Sequence, residues 1–273
     1  TRYIGDWSSD VCSSDLKRRL RDGALYVVLL AAVLLLASVA DWGAIHRNFF
    51  DVTTAKALWP DLVTTAAVNT IKYTVMAFAG GFVLALVLAL MKLSPLAPYR
   101  WIATVYIEFF RGLPALVVII LMGLGVPLAF QWMPPGGTVG AGVLALIIVS
   151  AAYMAETLRA GIQAVPKGQR EAAASLGMGG FWTMVSITLP QAVRIVIPPL
   201  TNEFILLIKD TSLISVIGMQ QNQNDLTAFG QAGLTSYANS TPLIAIAVMY
   251  LLISIPSSQL VAYLERRQQK ASR

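Results

Sequence analysis

The chain has 273 residues, 56% of them hydrophobic and only 12% charged. Soluble domains carry about 25% charged residues, so the composition excludes an ordinary soluble globular protein and points to an integral membrane protein. The +6 net charge follows membrane topology and is no sign of nucleic-acid binding; one cysteine, Cys12, excludes an internal disulfide or cysteine metal cluster, and one histidine, His46, argues against a histidine-based metal or catalytic site.

Residues 1–16, "TRYIGDWSSDVCSSDL", differ from the rest. They are polar and Ser/Asp-rich, without the cationic start and apolar core of a signal peptide. They read as translated adapter or vector sequence, or as a disordered native tail. Residues 17–61 form a basic segment, a first crossing and an external link; 62–265 form the main membrane domain; 266–273 form a basic tail.

A helix needs about 20 apolar residues to cross a bilayer, and the apolar stretches give six crossings of an all-α membrane protein. They lie at 24–40, 63–91, 101–130, 138–158, 184–208 (interrupted by "IVIPPL") and 242–264. Lys17, Arg18, Arg19 and Arg21 precede the first crossing, and Arg266, Arg267, Lys270 and Arg273 follow the last. The positive-inside rule then places both termini in the cytoplasm, with Lys92, Arg100, Arg159, Lys167 and Arg170 on the same side. Trp42, Trp59, Trp101 and Trp132 fall near crossing ends, where interfacial anchors are expected.

Ionisable groups inside crossings are costly and mark candidate sites. Glu108 and Arg111 are three residues apart on one helix face and can pair before Pro114. Glu156 and Arg159 repeat that spacing, and Glu156, near Ser150 and Tyr153, is placed either for packing or for a cationic or amino ligand. Pro198 and Pro199 remove two backbone donors ahead of Asn202 and Glu203, which kinks the helix and frees carbonyls to line a path. Lys209, Asp210, Thr211 and Ser212 then fall near the outer mouth, with Lys209 and Asp210 as a local pair or an outer gate.

Residues 171–190, "EAAASLGMGGFWTMVSITLP", interrupt the apolar pattern on the cytoplasmic side. Glu171 to Leu176 are strong helix formers, Gly177, Gly179 and Gly180 permit a tight turn, and Phe181 to Leu189 restart a helix that Pro190 kinks. The reading is two short helices at the inner membrane surface. On physical grounds they serve either as an amphipathic connector on lipid or as a small-faced docking surface.

The spacing Glu171-Ala172-Ala173, three residues, Gly177, nine residues, Ile187, one residue, Leu189-Pro190 resembles the cytoplasmic loop signature of ABC importer permeases. "YIEFFRGLPALV" (106–117), "AETLRAGIQAVPKGQREAAASLG" (155–177) and "LPQAVRIVIPPLTNEFILLIKDTSLISVIG" (189–218) are similar to the polar amino-acid branch of that family, the histidine, glutamine, glutamate and arginine type. The resemblance covers 62–265. It implies a type I ABC importer transmembrane fold whose coupling helix docks on an ATP-binding cassette ATPase, and a bacterial cytoplasmic-membrane location. It also implies a second permease chain, as homo- or heterodimer, and an extracytoplasmic amino-acid-binding protein.

No GxxxxGK[ST] phosphate loop occurs, and no catalytic or metal-ligating set is recognisable. ATP and magnesium are therefore expected in the partner ATPase and no cofactor in this chain. The rival readings are an ion-gradient-driven secondary transporter and a non-transporting membrane scaffold. The first leaves the spaced 171–190 pattern unexplained; the second takes the loop as a protein docking site without a transport cycle.

Overall fold

The computed structural model describes residues 7–271, with side chains for 21–263, 265 and 266. The side chains of Cys12, Lys17, Arg18, Arg19, Arg267 and Lys270, and all of residues 1–6 and Arg273, lie outside the described residues. Every regular element among the described residues is helical. The chain divides into two units, Thr1–Asn48 and Phe49–Arg273.

The first unit holds α1 (Trp7–Val39) and most of α2 (Trp42–Phe49). The stretch Arg21–Val39 is long and apolar enough to cross a membrane. Its end is closed by Trp42 Nε1, which donates to the Ala37 carbonyl at 2.8 Å. Asp41 Oδ1 accepts from the Ala44 amide at 2.8 Å and so satisfies an orphan donor at the start of α2.

The second unit contains α3 (Val52–Asp61), α4 (Val68–Leu93), α5 (Ala97–Gly112), α6 (Ala115–Ile120), α7 (Val126–Phe130) and α8 (Gly137–Ala164). It continues through α9 (Lys167–Ser175), α10 (Gly180–Thr183), α11 (Leu189–Asp210), α12 (Leu226–Tyr237) and α13 (Thr241–Ala271). Helix α8 is the hub. Its most apolar stretch is 67% buried, against 17% for the one beginning at Thr241, so α8 is central and α13 peripheral.

The packing of α4 on α8 follows from sequence. Helix α4 buries Thr70, Tyr73, Thr74, Ala77, Gly81, Ala85, Leu88 and Ala89, a stripe at three- and four-residue spacing made mostly of small residues. Lipid tails are as apolar as side chains, so helix association in a bilayer depends on close van der Waals fit, which small residues permit. A Cβ on Gly80 would stand 2.6 Å from Ile147 Cδ1, and one on Gly81 would collide with Ser150 Oγ and Met154 Cε. Near the end of α8, Gly161 admits Val196 from the first half of α11 in the same way.

Polar groups of α4 tie down the segment ahead of α12. Tyr73 Oη donates to the Gln223 carbonyl at 2.8 Å, and Asn69 Nδ2 donates to the carbonyls of Asn222 at 3.2 Å and Asn224 at 3.1 Å. Thr70 Oγ1 accepts from the Leu226 amide at 3.0 Å. Asp225, fully buried, caps α12 by accepting from the Ala228 amide at 2.8 Å, while burial raises its carboxyl to about 6.

Among the described residues, five helical runs are long and apolar enough to cross a membrane, and the pair Ala97–Gly112 and Ala115–Phe130 makes a sixth if taken as one crossing. That pair is bent by 103°. Leu113 adopts φ −99° and ψ 139°, the extended conformation that a following proline enforces, and Pro114 starts the next helix. The interruption expected at "IVIPPL" is corrected: α11 runs through Pro198 and Pro199 without a break. The sharp break of the fold is at Pro114 instead. Val196, Pro198 and Leu200 are buried and Pro199 is exposed, so packing on one face holds the helix through the two prolines.

The α4–α8 fit gives a direct expectation. Gly81→Val should destabilise the purified chain by about 2 kcal/mol, read as a lower melting temperature in detergent; Gly168→Val, where a Cβ meets nothing within 4 Å, should change it much less.

Candidate functional site: the 167–190 loop and an acidic pocket

Two places draw together the residues singled out by sequence. The first is the loop after α8. Helix α9 starts behind Pro166 and ends at Ser175. Its end is a Schellman closure: the Gly177 amide donates to the Ala174 carbonyl and the Met178 amide to the Ala173 carbonyl, both at 3.0 Å. Gly177 takes φ +75°, a conformation that costs a residue with a side chain about 1–2 kcal/mol. Of the three glycines only Gly177 needs that freedom. Gly179 has φ −64° and Gly180 begins α10.

Glu171, Ala172, Leu189 and Pro190 are exposed, Ile187 is half-buried, and Ala173 is buried against the structure. The Glu171 carbonyl accepts from Ser175 Oγ at 3.0 Å, but its carboxylate forms no hydrogen bond or ion pair among the described residues. The same loop exposes Leu176 at 83%, Phe181 at 72% and Trp182 at 63%, a concentration of large apolar groups on one short segment. Between α10 and α11 the backbone passes through a π-helical turn, Met184–Thr188. Pro190 cannot donate there, and the Gln191 side chain donates to the Ile187 carbonyl at 3.0 Å. The kink expected at Pro190 is thus realised as a widened turn that joins the loop to α11.

The second place is a cavity of about 300 Å³ walled by the Leu113–Ala115 bend, α8 and α11. Ser150, Tyr153, Glu203 and Asp210 line it with apolar neighbours. Glu203 and Asp210 stand two turns apart on one face of α11, half-buried, and neither forms an ion pair among the described residues.

Several expected pairings are corrected. Glu108 and Arg111 form no ion pair among the described residues. The helix ends at Gly112, and the Arg111 guanidinium lies 5.7 Å from the centre of the Tyr153 ring instead, with Tyr153 Oη donating to the Arg111 carbonyl at 3.4 Å. Lys209 and Asp210 likewise form no ion pair: Lys209 is exposed while Asp210 turns into the cavity. Thr211 is fully buried and donates to the Ile208 carbonyl at 2.8 Å, so it lines no path. Asn202 is exposed and Ser212 half-buried, and neither lines the cavity.

Glu156 does pair with Arg159, but it is also held by Lys92 Nζ at 2.9 Å, a partner that sequence did not suggest. Arg159 Nη1 donates onward to Gln163 at 2.6 Å. The Lys92, Glu156 and Arg159 side chains are 15%, 23% and 27% exposed, so the triad is mostly withdrawn from water and its carboxylate is occupied. Glu156 therefore joins α4 to α8 rather than facing the cavity with Ser150 and Tyr153.

A bundle of long apolar helices with an exposed loop and a carboxylate-lined cavity has the make-up of a polytopic membrane protein. A family model described as "Binding-protein-dependent transport system inner membrane component" matches residues 81–270, and the chain belongs to that family. It is 39% identical over 212 residues to the probable glutamine ABC transporter permease protein GlnM of Bacillus subtilis, covering 74% of this chain and 91% of the relative. It is 33% identical over 266 residues to the arginine transport system permease protein ArgU of Corynebacterium glutamicum, covering 91% and 79%. A solved amino acid ABC transporter with histidines superposes with a TM-score of 0.73 at 38% identity, over 80% of this chain and 98% of that one. The fold is the type I ABC importer transmembrane fold. A methionine transporter, MetNI, at 17% identity and a TM-score of 0.57, shares the fold alone.

The triad carries its own expectation. Glu156→Gln leaves Lys92 and Arg159 without their anion and should cost about 1–2 kcal/mol, below the ~3–5 of a fully buried pair because these groups are partly hydrated. A lower melting temperature, partly restored in a Lys92→Gln/Glu156→Gln double variant, would be the reading.

Proposed function

We propose that this chain is the permease subunit of an ATP-driven importer that moves a polar amino acid, delivered by an extracytoplasmic binding protein, across a bacterial cytoplasmic membrane. The observation that carries this reading is the 167–190 loop. It pairs a family-spaced signature with an exposed surface of one unpartnered carboxylate and three large apolar side chains. The chain contains no phosphate loop, so the work must arrive from another polypeptide, and this loop offers a seat for it. On this reading ATP and magnesium belong to that partner, and no catalytic residue, cofactor or metal is expected in this chain.

In this reading both termini and the loop face the cytoplasm, as the distribution of Lys and Arg supports. Motion of the ATPase subunits pulls α9 and α10. The π-helical turn passes it to α11, the same helix that carries Glu203 and Asp210. Neither carboxylate forms an ion pair among the described residues, so they favour the ammonium group of an amino acid or a cationic side chain. The relatives named for glutamine and arginine, and the solved transporter with histidines, support an amino-acid cargo. A second permease chain completes the path.

Reconstitution with the cognate ATPase and binding protein tests both halves. Glu171→Lys and Gly177→Arg should each reduce ATP-driven uptake about tenfold or more, the loss expected on removing an interface hot spot, with membrane insertion unchanged. Wild-type uptake without any ATPase would contradict the reading.

The cavity is tested separately. Glu203→Gln and Asp210→Asn should raise the KM for the transported amino acid about tenfold to a hundredfold, the worth of a hydrogen bond to a charged group, with ATPase binding unaffected.

A further inference from the structure

Cations from three helices converge on a recess the transport cycle does not use. Lys92 closes α4, Arg100 opens α5 and Arg159 lies near the end of α8; with Trp101, Val105 and Gln163 they line a cavity of about 350 Å³. Glu156 is the carboxylate held by this group, and it neutralises one charge of three. Lys92 and Arg159 share that carboxylate, and Arg100 spends one donor on the Pro95 carbonyl at 3.5 Å. Several N–H donors and two positive charges are therefore left for an occupant.

The rim is amphipathic. From the recess, Trp101, Val105 and Phe109 follow one another at four-residue intervals along α5, exposed by 72%, 55% and 58%. An occupant must carry negative charge at one end and apolar length at the other. A free anion would leave the apolar stripe bare. An acidic protein segment would have to lay apolar residues along a helix that is half of a candidate membrane crossing.

We propose that this recess seats the phosphate headgroup of an anionic phospholipid, with the lipid's acyl chains lying on Trp101, Val105 and Phe109. Basic recesses between membrane helices bind anionic headgroups through Lys and Arg, each worth about fivefold in affinity. The bound lipid bridges the α4 end, the α5 start and the α8 end, next to the chain that leads into the 167–190 loop.

The test uses the full-length chain, purified and delipidated in detergent, with melting temperature and native mass spectrometry as readouts. The probes are short-chain phosphatidylglycerol, short-chain phosphatidylcholine and inorganic phosphate. The wild type should retain and be stabilised by phosphatidylglycerol, and should respond to neither phosphatidylcholine nor inorganic phosphate. Arg100→Gln should weaken phosphatidylglycerol binding about fivefold, Arg100→Lys should keep most of it, and Lys56→Gln, in α3, should keep all of it. Equal responses to the two lipids would overturn the proposal, as would equal stabilisation by phosphate or an unchanged Arg100→Gln. A phosphatidylglycerol response replaced by self-association that Arg100→Gln abolishes would also overturn it, in favour of a second copy as the occupant.

Discussion

The close approach of α4 to α8 is the contact on which the remaining structure depends. Hydrophobicity cannot drive it, because the competing solvent is lipid; shape must. Gly80 and Gly81 let Ile147, Ser150 and Met154 into the space their own side chains would fill. The Lys92–Glu156 pair then fixes the same two helices at one end, and the Tyr73, Asn69 and Thr70 hydrogen bonds anchor the segment before α12 at the other. With α8 held, its C-terminal end leads into the exposed loop and its middle forms a wall of the acidic cavity.

The distribution of carboxylates follows from that frame. Glu156 is satisfied by two cations, and it serves packing. Glu203 and Asp210 have no ion partner among the described residues and face a cavity. The Glu171 carboxylate, on the outside of the loop, has no ion partner among the described residues either. The three carboxylates thus stand at the two places where the proposed function puts the cargo and the motor. Helix α11 links those places in one rigid element, because packing carries it unbroken through Pro198 and Pro199.

Much of this was legible in the chain itself. Crossings are set by apolar length, a local property, and all six stretches recur as helical runs or as the bent pair. The loop was legible because capping chemistry is local: Gly177 at the end of an alanine-rich turn specifies the closure seen. Interactions that depend on distant partners were not. Nothing in the sequence near Glu156 points to Lys92, 64 residues away, and the tempting i,i+3 pair Glu108–Arg111 lost its cation to the face of Tyr153 on another helix. Proline was ambiguous for the same reason: Pro114 broke its helix, while Pro198 and Pro199, held by buried neighbours, did not. The seven-residue interval from Glu203 to Asp210, which puts both on one helical face, was the available clue to the cavity.

Hydrogen–deuterium exchange on the purified permease, alone and in complex with its ATPase, tests most directly whether the loop receives work from that partner. The account predicts protection of amides in 167–183 on complex formation, with the α9 closure at Gly177 and Met178 slowed most. An intact complex in which those amides exchange at the free rate, with protection appearing elsewhere, would contradict it.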